Sequence, residues 1–354
     1  MNSKERVLTA LSNQEPDRVP INYYANPGID SRLRSHFNLD PADPEGLQKA
    51  LNVDFRTVWV PYIGPRLHAE LPDRNVDPAS GIHTRLIHHE SGAYWDYCDF
   101  PLEHATLEEI EAWPMASPDD YDYSHIPATC EAYKDYFVVT YYHPDIINSN
   151  GMIRGMEQTL VDLMTDDPAG LRYTDRRHEI ALEVLRRTLE AANGGIDAVW
   201  LGEDLGTQYS PMISLDLFRK HIRPRHQPFI DLARSHGLHV FMHSCGSSSW
   251  AFEDFIEMGV TVVDTLQPEA TNMSPEYLKS HFGGRVGFHG CISTAGSVAR
   301  GTVDDTIAEC RNTLDIMMPG GGYCFAPTHA LQDNSPTENV VAMYETAVKY
   351  GRYK

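Results

Sequence analysis

Eight short apolar runs, most of them separated by stretches with helical spacing, narrow the fold more than any other feature of the chain. They fall at 19–24, 57–62, 137–142, 198–202, 239–243, 260–266, 285–289 and 323–327. Between them, Leu182, Leu185, Leu189 and Ala192 recur at spacings of three to four, and Gly194-Gly195 reads as the stop. Ser214 reads as the cap of a helix running through Phe218 and Ile222, with Pro224 and Pro228 expected to break or bend it before Gly237 ends it. Thr302 or Asp304 opens another helix, with Ile307, Cys310 and Leu314 on one face, and 339–347 reads as the last. Strand–helix alternation with eight strands predicts a (β/α)8 TIM-type barrel, with a doubly wound open sheet as the alternative. At 354 residues one barrel spanning 1–354 is expected, with an N-terminal extension and an inserted excursion near 65–135. That excursion is rich in Pro, Asp, Glu, His and aromatics and is read as a lid, a homodimer contact or a purely structural insertion.

Charge excludes several partners. Lys and Arg number 29 against 50 Asp and Glu, a net −21. Such acidity opposes non-specific nucleic-acid binding and docking on anionic membranes. No run approaches 18 apolar residues, and the N-terminus lacks a signal peptide's apolar stretch. Six scattered cysteines, at 98, 130, 245, 291, 310 and 324, do not form a disulfide framework, so a reducing cytoplasm is the expected compartment.

The sharpest chemical feature is His239-Val240-Phe241-Met242-His243-Ser244-Cys245-Gly246, an apolar strand running into a Gly/Ser turn. Residues two apart on a strand share a face, so His243 and Cys245 can converge at its carboxyl end, where barrel enzymes place their sites. Imidazole and thiolate are zinc ligands, and Cys324, in the last strand, is the candidate third. His/Cys/Cys with an open fourth position would be catalytic; a buried structural Cys324 beside a merely hydrogen-bonded His243 is the plainer alternative. Cys291 is a more distant candidate ligand. Glu203 and Asp204 follow the strand at 198–202. Glu203 is expected to face the mouth as a general acid/base or metal-supporting group, and Asp204 to alternate away, although a helix cap or solvated turn fits the sequence equally. Gln267 can orient substrate or be a turn amide; His329 and Asp333 can support metal or substrate, or cap a helix. Gly320 to Gly322 precede a strand rather than open a helix, so they read as a helix stop, not a phosphate loop. Tyr23, Tyr24, Trp59, Tyr62, Tyr141, Tyr142 and Trp200 lie near strand segments and can wall a pocket or fill the core.

Several stretches together resemble uroporphyrinogen-decarboxylase-like proteins. They are Lys4-Glu5-Arg6-Val7-Leu8-Thr9-Ala10-Leu11, Pro16-Asp17-Arg18-Val19-Pro20-Ile21, Gly202-Glu203-Asp204-Leu205-Gly206-Thr207-Gln208, His243-Ser244-Cys245-Gly246, and Pro327-Thr328-His329 through Pro336-Thr337-Glu338-Asn339-Val340. The resemblance runs from the start to Tyr353, is weak only in the excursion, and implies a TIM-type barrel. True decarboxylases of that family carry arginines after the first strand and an aspartate at the barrel mouth. Here Ile21 is followed by Asn22-Tyr23-Tyr24-Ala25-Asn26-Pro27-Gly28, and Val58-Trp59-Val60-Pro61-Tyr62-Ile63-Gly64-Pro65 has no Asp. A substrate with many carboxylates needs cationic partners, so porphyrin decarboxylation is the least favoured of the family's activities.

The other branch comprises zinc methyltransferases that work with corrinoid proteins, and their His-x-Cys plus distant Cys is similar to His243, Cys245 and Cys324. That resemblance implies a Zn2+ site on these three residues and leaves the fourth ligand, and which of Glu203 and Gln267 touches zinc, open; Glu203 in catalysis and Tyr23, Gln267 and His329 toward substrate are expected from their places near strand ends. It implies methyl transfer between a small methylated compound, first a methoxylated aromatic undergoing O-demethylation, and the cobalt of a corrinoid; methylation of a thiol by a methylcobamide is the alternative. No Asp-x-His-x-x-Gly cobalamin motif is present, so the corrinoid is expected on a partner protein. A barrel that only stores or senses zinc is the non-catalytic rival.

Overall fold

A computed structural model describes residues 1–89, 92–142 and 144–354. Among the described residues ten strands are formed: β1 (Phe55–Val58), β2 (Asn75–Val76), β3 (His83–His89), β4 (Gly92–Tyr97), β5 (Phe137–Tyr141), β6 (Ala198–Gly202), β7 (His239–Ser244), β8 (Val262–Thr265), β9 (Gly287–Ile292) and β10 (Tyr323–Pro327). Seven of them make one all-parallel sheet in the order β1-β5-β6-β7-β8-β9-β10. The eighth expected run, 19–24, supplies only an isolated parallel bridge, Ile21 to Phe325. It still closes the ring. Phe325 N–H donates to Pro20 O (2.8 Å), Asn22 N–H to Phe325 O (2.9 Å), and Asp54 N–H to Ile21 O (2.8 Å). Proline at position 20 removes a ladder donor, one reason the segment bridges rather than extends. The fold is the TIM-type barrel, not the open sheet.

Aromatic side chains plug the barrel. Phe55, Phe137, Trp200, Phe241 and His289 meet in edge and tilted contacts 4.5–6.3 Å apart. All five residues of β6 are buried, as a strand covered on both faces requires. The N-terminal extension is the helix Ser3–Leu11, which lies across the amino ends of the strands. Lys4 N–H donates to Asp135 O, the buried Arg6 guanidinium pairs with Asp54 at 2.7 Å, and Gly322 N–H donates to Ala10 O.

Helix ends follow the sequence signals. Asp167 caps Pro168–Ala192 by accepting from Gly170 N–H, and left-handed Asn193 with Gly194 ends it. Ser214 accepts from Leu217 N–H, and Thr302 forms a reciprocal box with Asp305. The prolines do not break the chain into two helices. Leu215–Leu217 passes through a π turn, Phe218–Ile222, into Arg223–Ser235, with Pro228 inside that helix. The wider turn absorbs the misalignment that missing donors create.

The excursion folds as a three-stranded antiparallel sheet, β2-β3-β4, with Leu86 opposite Trp95 and Thr84 opposite Tyr97. Helix Leu107–Ala112 follows, and helix Ile126–Ala132 already belongs to the crossover into β5. All six cysteines are free thiols. Among the described residues, no helix is long and apolar enough to cross a membrane.

Candidate metal site

The site forms where the loops after β6 and β7 touch. Gly206 and Gly246 pack backbone to backbone: a Cβ on Gly246 would fall 2.2 Å from Gly206 O, and Gly246 takes φ +70°. Only glycine allows that approach. Three hydrogen bonds zip the loops together: Glu203 N–H to His243 O (2.9 Å), Leu205 N–H to Ser244 Oγ (3.2 Å) and Cys245 N–H to Asp204 Oδ1 (2.7 Å).

Asp204, His243 and Cys245 thereby converge, each half-buried, with their donor atoms within 4.8 Å of one another. Cys245 Sγ is 3.3 Å and Asp204 Oδ1 3.6 Å from His243 Nε2. The ring's other nitrogen is held from behind. His243 Nδ1 is 2.7 Å from Asp264 Oδ2 and 2.8 Å from Thr265 Oγ1, and Trp200 Nε1–H donates to the same carboxylate oxygen at 3.2 Å. A carboxylate on the far nitrogen of a histidine is the usual support of a metal-ligating imidazole. Thr265 takes φ +83° and Leu266 φ +55°. A β-branched residue in the left-handed region is strained by about 1–3 kcal/mol. That strain brings the Thr265 hydroxyl onto His243.

Electrostatics agree with this grouping. Burial works against the Asp264 carboxylate, but the two imidazoles beside it prevail and lower its pKa. Burial likewise disfavours charge on His243, yet Asp264 and Cys245 lift its pKa well above the usual histidine value. Burial raises the Cys245 thiol, with His243 opposing.

The structure brings two of the three expected ligands into one cluster. His243 and Cys245 come together as expected, and Asp204, not Cys324, completes the trio. The register explains why. Gly202, His243, Asp264, His289 and Cys324 form one row across β6 to β10. Paired residues face the same side, so Cys324 also points inward. Barrel strands are tilted, however, and the row descends away from the mouth. Cys324 is the second residue of β10, fully buried, and burial raises its thiol pKa strongly. Cys291 is also fully buried and outside the trio.

The two carboxylates exchange places relative to expectation. Glu203 is fully enclosed and accepts from Ile146 N–H (2.8 Å), Ile147 N–H (2.9 Å) and the His226 ring (3.0 Å), so it anchors the start of helix Ile147–Arg154. Inward parity in β6 runs through Trp200 and Gly202, and it continues to Asp204.

The substrate candidates divide. Gln267 Oε1 accepts from Gly246 N–H and so braces the loop carrying Cys245. Tyr23 faces away from the mouth, with its hydroxyl 3.1 Å from Asp30 and its ring edge-on to Tyr344. His329 is exposed just beyond β10, with Nδ1 3.2 Å from Gln332 Nε2. Asp333 accepts from Ile29 N–H in the first turn of helix Pro27–His36, the capping alternative. Sequence reasoning passed over Asp264, although a lone acid inside Val262-Val263-Asp264-Thr265 is itself a signal, since unpaired carboxylates are not buried.

An aromatic wall flanks the trio. Tyr141 stacks between Trp59 (5.2 Å, 13°) and Trp200 (5.0 Å, 22°), and Trp59 remains 58% exposed at the rim. Behind it, a cavity of about 340 Å³ is bounded by the excursion (Ile82, Met115, Tyr121) and by the long helix (Tyr173, Arg177, Ala181).

Comparison with known proteins follows the same lines. The profile of the uroporphyrinogen decarboxylase (URO-D) family matches residues 149–350. No curated protein matches the chain. A solved methyltransferase from Methanosarcina mazei superposes with a TM-score of 0.65 at 17% identity, covering 99% of this chain and 99% of that one. At that identity the likeness speaks for the fold. A D-psicose 3-epimerase reaches a TM-score of 0.38 at 14% identity over 65% of this chain and 82% of that one, too low to carry weight.

Proposed function

The chain belongs to the uroporphyrinogen decarboxylase family, and from that premise we propose that it is a zinc-dependent methyltransferase. It moves a methyl group between a small methylated compound, first a methoxylated aromatic, and the cobalt of a corrinoid carried by a separate protein. One observation carries the reading: Asp204, His243 and Cys245 converge at the barrel mouth, with Asp264 behind the imidazole. Carboxylate, imidazole and thiol are donors zinc takes, and three protein ligands leave a fourth position for a small molecule. The structural neighbour from Methanosarcina mazei is a methyltransferase, which supports the same direction.

Bound there, zinc would supply a Lewis acid for the heteroatom that loses or gains the methyl group. The remaining work falls to the chain. Asp264 and Thr265 hold the His243 ring in one orientation. Asp204 also fixes the Cys245 backbone, so two donors move as one unit. The Trp59–Tyr141–Trp200 stack offers a flat wall against which an aromatic ring can lie. Tyr24, Trp59 and Tyr209 stand exposed beyond strand ends, and the partner's corrin would approach over them.

The test is metal analysis of the purified protein, followed by methylation of a cob(I)alamin-loaded corrinoid protein from a panel of methoxylated and thiomethylated compounds. Stoichiometric zinc that Cys245→Ser abolishes, with transfer from at least one donor, is expected. Absence of zinc together with turnover of uroporphyrinogen would overturn the reading.

A further inference from the structure

Behind His243 runs a chain of polar groups that continues past Asp264, and none of it touches the mouth. Asp264 Oδ1 lies 2.5 Å from Nδ1 of His289, which is 4% exposed on β9. His289 Nε2 lies 3.0 Å from Nδ2 of Asn22, a buried residue of the segment that closes the barrel. The Asn22 side chain has only one workable orientation. Its Oδ1 accepts the backbone N–H of Tyr23 at 2.8 Å, which leaves Nδ2, a donor, facing the imidazole.

We infer that Asn22 fixes the tautomer of His289 and, through it, holds Asp264 as an acceptor toward both imidazoles, which supports Nε2 of His243 as the nitrogen free to bind metal. The logic is a sequence of donors and acceptors. The Asn22 amide donates, so His289 Nε2 must accept and carries no proton. The ring's proton then sits on Nδ1 and goes to Asp264. The carboxylate's other oxygen faces His243 Nδ1 at 2.7 Å and accepts from its N–H. The lone pair of His243 is left on Nε2, the nitrogen that faces Cys245 and Asp204. Every polar atom in the chain is buried or half-buried, so water cannot readily substitute for a missing link, and an error at one end passes to the other. Asn22 and His289 are positioning residues: neither reaches the trio, and both act through Asp264. The inference rests on the metal site alone and stands whether or not the reaction is methyl transfer.

Imidazole nitrogen spectra of the histidine-labelled, zinc-loaded chain read this directly. The signal of His289 is assigned by its loss in His289→Gln. In the wild type, Nδ1 is expected to be protonated and Nε2 bare. Asn22→Asp replaces the donor by an acceptor of the same size, so Nε2 should acquire a proton. Zinc affinity, measured by competition with a chelator, should fall about 10–100-fold, the range typical of changes in the groups that support metal ligands. A merely structural asparagine would not move the proton. Should Asn22→Asp fail to fold, Asn22→Ala serves for the affinity, and the wild-type spectrum decides the tautomer by itself. A proton on Nε2 of His289 in the wild type overturns the inference. So does a folded Asn22 variant with unchanged zinc affinity.

Discussion

Asp204 Oδ1 accepts the backbone N–H of Cys245 at 2.7 Å and lies 3.6 Å from Nε2 of His243. One oxygen therefore sets the path of the cysteine loop and faces the imidazole that shares the site. Glu203, one residue earlier, turns into the protein and binds the first N–H groups of a helix. Neighbouring carboxylates thus serve chemistry and architecture separately.

Exchanging each carboxylate for its amide should separate these roles. Asp204→Asn is expected to lower zinc affinity and methyl transfer at least tenfold, by the scale of lost support at metal sites, with little change in unfolding. Glu203→Gln should retain zinc but lose about 1–3 kcal/mol of stability, because its amide donor would meet donors. Zinc titration and denaturant unfolding of both variants give the answer. Zinc loss confined to Glu203→Gln would reverse the assignment.

Cys324→Ser should leave zinc stoichiometry unchanged. A hydroxyl in place of this enclosed thiol should cost about 1–3 kcal/mol of stability, the penalty for a poorly partnered buried polar group. Loss of bound zinc from a folded Cys324→Ser protein would restore the cysteine to the ligand set.

Trp59→Ala removes the exposed end of the aromatic stack. KM for a methoxylated aromatic should rise several-fold, while an aliphatic methyl donor is handled as before. Stability should stay within about 0.5 kcal/mol, as for other surface changes. Equal effects on both donor types would show that the wall does not select rings.

Acid sensitivity should trace in part to His178. Burial first, then the Arg177 charge, depress its pKa to about 3, while its ring bonds the Pro144 carbonyl. In the unfolded chain the ordinary value is about 6.5. Between these values the unfolded state holds the extra proton. The contribution is complete above about pH 6.5 and is lost as pH falls toward 3, at up to about 1.4 kcal/mol per pH unit. His178→Gln should flatten the pH dependence of unfolding between pH 6.5 and 4.5. A slope equal to that of the wild type would place the acid-sensitive group elsewhere.

The barrel was legible because apolar runs and helix caps recur in phase, and Ala198–Gly202 and Tyr323–Pro327 fall where the pattern puts them. His243 and Cys245 were legible for the same reason, since i and i+2 on one strand share a face. The parity of β6 was not. Ala198-Val199-Trp200-Leu201-Gly202 is apolar on both faces, so nothing in it marks which of Glu203 and Asp204 turns inward. Depth was not legible either. Cys324 lies in the right row, but how far that row drops depends on strand tilt, a property of the closed barrel that no single strand encodes.

Closing the ring through residues 19–22 has a consequence for how the chain is made. Ile21 finds its ladder partner in Phe325, and Val19 N–H finds Gly351 O, roughly 300 residues later. During synthesis the opening segment emerges long before those partners exist. Closure therefore waits for residues 325 and 351, and until they are made the open edges of the nascent sheet are exposed to chaperones or to wrong pairings. Because Asn22 lies in that same seam, the innermost link behind His243 falls into place only as the last strand docks.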